Sequence, residues 1–327
     1  MHPLCYLLGL LSFFVFYSLA QQGSARILIY SATKGFRHDS IPTAIQALKM
    51  KGSSINVVFD NTEDETQFNG QVLAQYDALL FLDTTGQVLD DSGTAALQNY
   101  LNLGGNFVGV HAASDCLNST TFYGQELGAY FDYHPALQNA TVDVIDSSHP
   151  STSMLPAEWH VQDEMYNFKS DPRANGAIVV LSANESSYND PGPRLYNQGT
   201  PHPTAWYQDH GAGVQSNGTA GRSFYTSLGH LNETWQDELF LAHVTGGITW
   251  TLLSNTTRAF NKSALVGNAQ SSSQSSTTPS GTSVSSKPTS SSSDVHQQLK
   301  PFDSRVTLSV FLATVFWYAY ICLQDLV

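Results

Sequence analysis

The stretch GGNFVGVHAASD, residues Gly104–Asp115, decides how this chain is read. Its apolar middle, Asn106–Val110, is of strand type and runs directly into His111, two alanines, a serine and an aspartate. A histidine at the end of a buried strand is either a core residue that caps the strand or a group presented to a reaction. The small residues behind it keep the turn tight and the approach open. The choice depends on what other strands deliver to the same edge.

Before this stretch, RILIYS (26–31), INVVF (55–59) and ALLFL (78–82) read as short, continuously apolar strands. Ile41, Ala44, Ile45 and Leu48 recur at helical spacing between the first two. Asp39 or Ser40 is placed to cap that helix, and Gly52 to end it. DSGTAALQNYLNLGG (91–105) reads as a second helix stopped by its glycines. Strands apolar on both faces, alternating with helices, belong to a parallel sheet covered on both sides. The expectation is an α/β, doubly wound, mostly parallel sheet. TVDVID, AIVVLSA, TAWYQ and RSFYTSLG add later strands, some antiparallel at the edge, and a last helix covers Asp237–Trp250.

Ligands of open α/β sheets bind outside the carboxyl ends of the strands. After the first strand come Arg37, His38 and Asp39; after the third, Asp83, Thr84 and Thr85; after the fourth, His111, Ser114 and Asp115; after SFYTSL, His230. Three histidines at strand ends on one edge point to proton transfer near neutral pH or to metal binding. Such side chains project toward substrate, so truncating His111 should cost function and little stability. Asp115 either orients His111, binds a hydroxyl, or is a turn carboxylate. Of the adjacent Asp163 and Glu164 only one can face the pocket, and Glu164 is the choice; the bland reading is a solvated acidic turn. Arg37, Thr84 and His134 are candidate substrate contacts. Tyr123, Trp206 and Tyr225 either stack on sugar rings or belong to the core. Histidine and carboxylate ligands suit a divalent metal such as zinc. None of these residues has a local metal spacing, however, so the sequence itself carries no metal signature and assigns no cofactor.

GFRHDSI, GGNFVGVHAASD, YGQELGAYFDYHP, HPST, DEMYNF, HPTAW and RSFYTSLGH, in this order, resemble the trehalose-utilisation (ThuA-like) domain family over about residues 25–252. The resemblance implies a class I glutamine-amidotransferase-like, flavodoxin-like fold. It also implies sugar metabolism, including oxidised (3-keto) disaccharides. Amidotransferases of that class expose a cysteine at the turn where this chain has His111. With no G-x-C-x-G or G-x-S-x-G anywhere, amidotransfer is rejected. Cys116 lies nearby, but a reactive thiolate needs an activating base.

The ends carry their own signals. Residues 1–20 read as a signal peptide with small residues before a cleavage point at Ala20. The folded domain is expected over 21–260. Residues 261–305 are expected to form a disordered Ser/Thr-rich stalk and spacer, with 17 Ser or Thr among the 24 residues 271–294. The apolar tail 306–327 completes a GPI-attachment pattern with Ser291, Ser292 or Ser293 as the anchor site; the other reading is a C-terminal transmembrane helix. Sequons stand at Asn118, Asn139, Asn184, Asn217, Asn232, Asn255 and Asn261. The expectation is an extracellular glycoprotein at the cell surface or cell wall, anchored to the plasma membrane. A net charge of −13 argues against nucleic acid as partner. Two functions fit: an acid–base enzyme (hydrolase, lyase or isomerase) on a saccharide or 3-keto derivative, or a non-catalytic glycan- or cell-wall-binding module. The enzyme should bring at least two of His38, His111 and His230 together in a cleft; the module should show an aromatic platform there.

Overall fold

The computed structural model describes residues 24–268. Nine strands form one sheet: β1 (Ala25–Tyr30), β2 (Val57–Thr62), β3 (Ala78–Leu82), β4 (Asn106–Val110), β5 (Gln138–Val144), β6 (Glu158–Asp163), β7 (Ile178–Ala183), β8 (Pro203–Gln208) and β9 (Ser223–Thr226), in the spatial order β2-β1-β3-β4-β9-β8-β7-β5-β6. The strands from β2 to β9 pair in parallel. Those from β9 to β6 pair antiparallel. The fold is therefore mixed α/β, with the expected parallel sheet extended by a run of antiparallel strands. β6 was not among the expected strands: EWHVQD is polar at every other position, as suits a strand at the outer end of the sheet.

Alternation along β1 splits the core into two layers. Ile27 and Ile29 pack with Ala44 and Leu48 of helix α1 (Ile41–Lys51) and with Phe240, Val244 and Ile248 of the last helix. Leu28 and Tyr30 face the other way, with Leu97 and Leu101 of α2 (Asp91–Asn102) and Tyr123 and Leu127 of α3 (Thr121–Leu127). The last helix, α4, spans Glu238–Leu252. Asp90 caps α2 by accepting from the Gly93 amide at 2.7 Å, and Asp237 caps α4 at the Phe240 amide at 2.8 Å. Ser40 stands at the start of α1 without capping it; its hydroxyl turns inward, 3.4 Å from both Asp83 and the Gly229 carbonyl.

The antiparallel half is more than an edge addition. β6 lies four strands from β9, about 19 Å away in a flat sheet. Yet Asp163 at its end accepts a hydrogen bond from the Gly229 amide at 2.8 Å. Trp159 of β6 joins the same core layer as Phe240 of α4 and stands 5.8 Å from the His243 ring. The sheet curls until its last strand meets the loop after β9.

Residues 261–268 do not begin the stalk, as expected, but complete the domain. Val266 is fully buried, the Gly267 amide donates to Ala74 O, and the Asn268 side chain donates to Ser24 O. The expected signal peptide, the Ser291–Ser293 anchor site and the apolar tail lie outside the described residues. Among the described residues no helix is long and apolar enough to cross a membrane. None of the seven sequon asparagines is buried.

One buried carboxylate lies away from the strand-end residues. Glu126 of α3 is fully buried and accepts only the Gly213 amide, at 3.0 Å; burial pushes its carboxyl up to about 7. The folded state therefore holds this proton to higher pH than the unfolded chain, whose Glu titrates near 4.5. Its contribution to stability must fall as pH rises through that window. Comparing Glu126→Gln with the parent by denaturation at pH 4 and pH 8 should show the variant gaining about 3 kcal/mol relative to the parent at the higher pH. An unchanged difference would show that the carboxyl ionises freely in the fold.

Candidate functional site

The parallel strands fix where the site forms, because their carboxyl ends share one edge of the sheet. At the end of β4 the backbone turns sharply: His111 has φ +52°, a left-handed conformation rare for a non-glycine residue. Asp83, at the end of neighbouring β3, has φ +51°. Strain of this kind costs about 1–3 kcal/mol and persists where the surroundings over-determine it. Here the supports are visible. Tyr225 donates to His111 O at 2.8 Å and Tyr123 to Ala113 O at 2.7 Å, both from beneath the turn.

The His111 ring is fully buried. Its Nδ1–H donates to Ser227 O at 2.6 Å, which leaves the Nε2 lone pair for its neighbours on the other side of the ring. Around that atom stand His38 Nε2 at 3.1 Å, the Tyr166 hydroxyl at 2.9 Å and Glu164 Oε2 at 3.8 Å. Glu164 also lies 3.2 Å from His230 Nδ1 and 3.5 Å from His134 Nδ1. One atom from each of His38, His111, Glu164 and His230 falls within 4.8 Å of all the others, an arrangement able to hold a metal ion. The three histidines singled out in the sequence thus meet, joined by the carboxylate chosen from the Asp163–Glu164 pair.

Asp163 makes that meeting possible. It is buried; Oδ1 accepts the Glu164 amide and Oδ2 the Gly229 amide, both at 2.8 Å. One side chain thereby clamps the backbone that carries Glu164 to the backbone that carries His230. Gly229 has φ +138°, a conformation closed to most side chains, and its own Cβ would stand 3.4 Å from that of His111.

Environment separates the histidines. Burial holds His38 down to about 4 and His111 well below the usual range, so both are neutral. His230 is raised, chiefly by the Glu164 carboxylate 3.2 Å from its Nδ1, against the opposing effect of burial. Burial pushes Asp163 up to about 7 and Asp83 well above the usual carboxyl range. It also raises the Cys116 thiol to about 12, which excludes a resting thiolate.

A cleft of about 250 Å³ opens over the cluster, walled by Phe36, Thr85, Asp115, Phe131, His134 and Tyr166 together with His38 and Glu164. Asp115 and His134 are on its wall as expected, but Asp115 does not orient His111; Ser227 O does. Three other expectations need correction. Arg37 points away to a two-pronged pair with Glu63 at 2.7 and 3.2 Å. Thr84 is fully buried, and its neighbour Thr85 meets the cleft instead. Tyr123 and Trp206 are core residues with their polar atoms spent on Ala113 O and Leu127 O, as Tyr225 is on His111 O. Their strand and helix positions face the layer covered by α2 and α3, so no ring can reach them. The expectation that truncating His111 costs little stability also needs correction, since none of its surface is exposed. Phe36, 66% exposed at the rim, Phe131 and Tyr166 were missed as site residues. Tyr166 sits two residues past Glu164, and that proximity was the one signal available for it.

A family model described as trehalose utilisation (ThuA) matches residues 26–251. Among solved structures, a ThuA-like protein from Bacteroides uniformis superposes with a TM-score of 0.56 at 21% identity, covering 71% of this chain and 93% of that one. A ThuA-like protein from Parabacteroides merdae gives 0.51 at 16% identity, covering 70% and 90%. At such identities the likeness is one of fold. No curated protein sequence matched the chain.

Proposed function

Because the chain belongs to the trehalose-utilisation (ThuA) family, which links it to sugar metabolism, we propose that it is an enzyme acting on a saccharide or an oxidised (3-keto) sugar derivative. The observation that carries this reading is the convergence of His38, His111, Glu164 and His230 beneath one cleft. The reaction is an elimination, hydrolysis or isomerisation run by proton transfer. His111 presents an unprotonated Nε2, because its one ring proton is committed to Ser227 O. His230, raised above the usual histidine range with its Nδ1 3.2 Å from Glu164 Oε2, is the group beside it suited to deliver a proton. Tyr166 and His134 line the way in. A carbon-bound hydrogen beside a sugar ketone is far more acidic than any in an unmodified glycoside, so a 3-keto substrate suits acid–base chemistry at this site better. Amidotransfer has no support here: the turn carries a histidine, and the nearest thiol is buried.

The strand order β2-β1-β3-β4-β9, with helices on both faces, supports a doubly wound, flavodoxin-like core of the glutamine-amidotransferase type. The apolar N-terminal stretch, the Ser/Thr-rich segment and the terminal apolar tail support secretion and a GPI anchor at the cell surface. Sequons without a buried asparagine suit a glycosylated exterior.

A glycan-binding module is the second reading, and the exposed ring of Phe36 at the rim favours it. Assaying the chain against a panel of disaccharides and their 3-keto forms separates the two. The enzyme should turn over a 3-keto sugar, and His230→Ala should lower that turnover by about 10²–10⁴-fold. Binding without turnover, weakened by Phe36→Ala and untouched by His230→Ala, would replace the enzyme with the module.

A further inference from the structure

From the geometry we infer that His38, His111, Glu164 and His230 form a binding site for a divalent transition-metal ion, zinc being the first choice. The inference rests on the reading of this centre as catalytic and deepens it: with an ion bound, His38, His111, Glu164 and His230 are ligands, and proton transfer passes to Tyr166 and His134 at the cleft.

The Nε2 atoms of His38 and His111 face each other at 3.1 Å in a buried setting. Two lone pairs cannot be held at that distance; a proton or a cation must lie between them. A shared proton would need only the two rings. The structure adds two further donors on the same point: Glu164 Oε2, 3.8 Å from His111 Nε2, and His230 Nδ1, 3.2 Å from Glu164 Oε2. Ligands about 2.0–2.1 Å from a tetrahedral zinc stand about 3.3–3.4 Å from one another. The distances of 3.1, 3.2 and 3.8 Å bracket that value, and the whole set lies within 4.8 Å.

At His111 the supporting shell has the expected form as well. Metal-bound imidazoles donate their second nitrogen to a carbonyl or carboxylate, which fixes ring orientation and basicity. His111 does this through Nδ1 to Ser227 O at 2.6 Å. Asp163 fixes the backbone of Glu164 against that of Gly229, beside His230. The ligand types, three imidazoles and one carboxylate, suit zinc and its neighbours rather than calcium or magnesium. An ion bound here would polarise a sugar carbonyl or hydroxyl entering the cleft. Tyr166 and His134 remain beside it as groups able to carry a proton.

The test is metal binding by the full-length chain after treatment with a chelator, titrated with Zn(II) by calorimetry and with Co(II) by visible absorption. One equivalent should bind, and the Co(II) complex should show the visible bands of a low-coordinate nitrogen–oxygen site. His111 is a core residue, so the half-buried ligands Glu164 and His230 carry the comparison. Glu164→Gln and His230→Ala should each weaken Zn(II) binding by about 100-fold or more while circular dichroism stays unchanged. Failure of the parent chain to bind either metal overturns the proposal, and so does undiminished affinity in both variants. Turnover of a 3-keto sugar by the metal-free chain would overturn a catalytic role for the ion and leave the proposed function standing. Tight binding without any turnover would leave the metal site standing and remove the enzyme.

Discussion

His111→Ala is expected to abolish turnover and to destabilise the fold by about 3–5 kcal/mol. The ring is fully buried, with Ser227 O, His38 and the Tyr166 hydroxyl all within 3.1 Å of its nitrogens. Truncation leaves a buried carbonyl and a buried hydroxyl without partners, at about 1–3 kcal/mol each. It also opens a cavity at the mouth of the turn. Relief of the left-handed strain is small, because alanine at φ +52° is scarcely better off than histidine. Urea denaturation of parent and variant measures this directly. A loss below about 1 kcal/mol would mean that the ring is not held as described.

Asp163→Asn should be nearly as damaging, although Asp163 touches none of the reacting groups proposed. Both of its oxygens accept backbone amides, from Glu164 and from Gly229. An asparagine keeps one acceptor and turns an NH2 toward the other amide. Losing one buried bond of this kind costs about 1.5–3 kcal/mol. The larger effect is on the site: once Gly229 is released, His230 no longer sits 3.2 Å from Glu164. The expected result is a fall in kcat of about 100-fold, as a misplacement near 1 Å can produce. Because Asp163 is a positioning residue, stability alone cannot test it. The His230 ring should lose its raised pKa in an NMR titration. A normal His230 titration together with normal kcat would reduce Asp163 to a structural residue.

The parallel half of the fold was legible because each of its elements is encoded locally. RILIYS, ALLFL and NFVGV are apolar at every position, as strands covered on both faces must be. Parallel strands send their carboxyl ends to one edge, so His38, His111 and His230 could be brought together on paper from strand order alone. EWHVQD was harder, since its alternation is that of a strand exposed on one face and its charges read equally well as a turn.

The sequence by itself determined the α/β class and which residues stand at the strand ends, His38, His111 and His230 among them; it offered Glu164 and Asp163 side by side. The tertiary structure alone decided how they meet. Glu164 reaches the histidines only because the antiparallel half curls back by several strand widths, and Asp163 holds it there. Tyr123 and Trp206 turned out to be core for a related reason: the face an aromatic occupies depends on which helix covers it, and that is set by contacts distant in sequence. Periodicity encodes which residues share a face. The curl of a sheet and the depth of a side chain are properties of the whole packed chain, so His111 could be placed at a strand end from sequence while its complete burial could not.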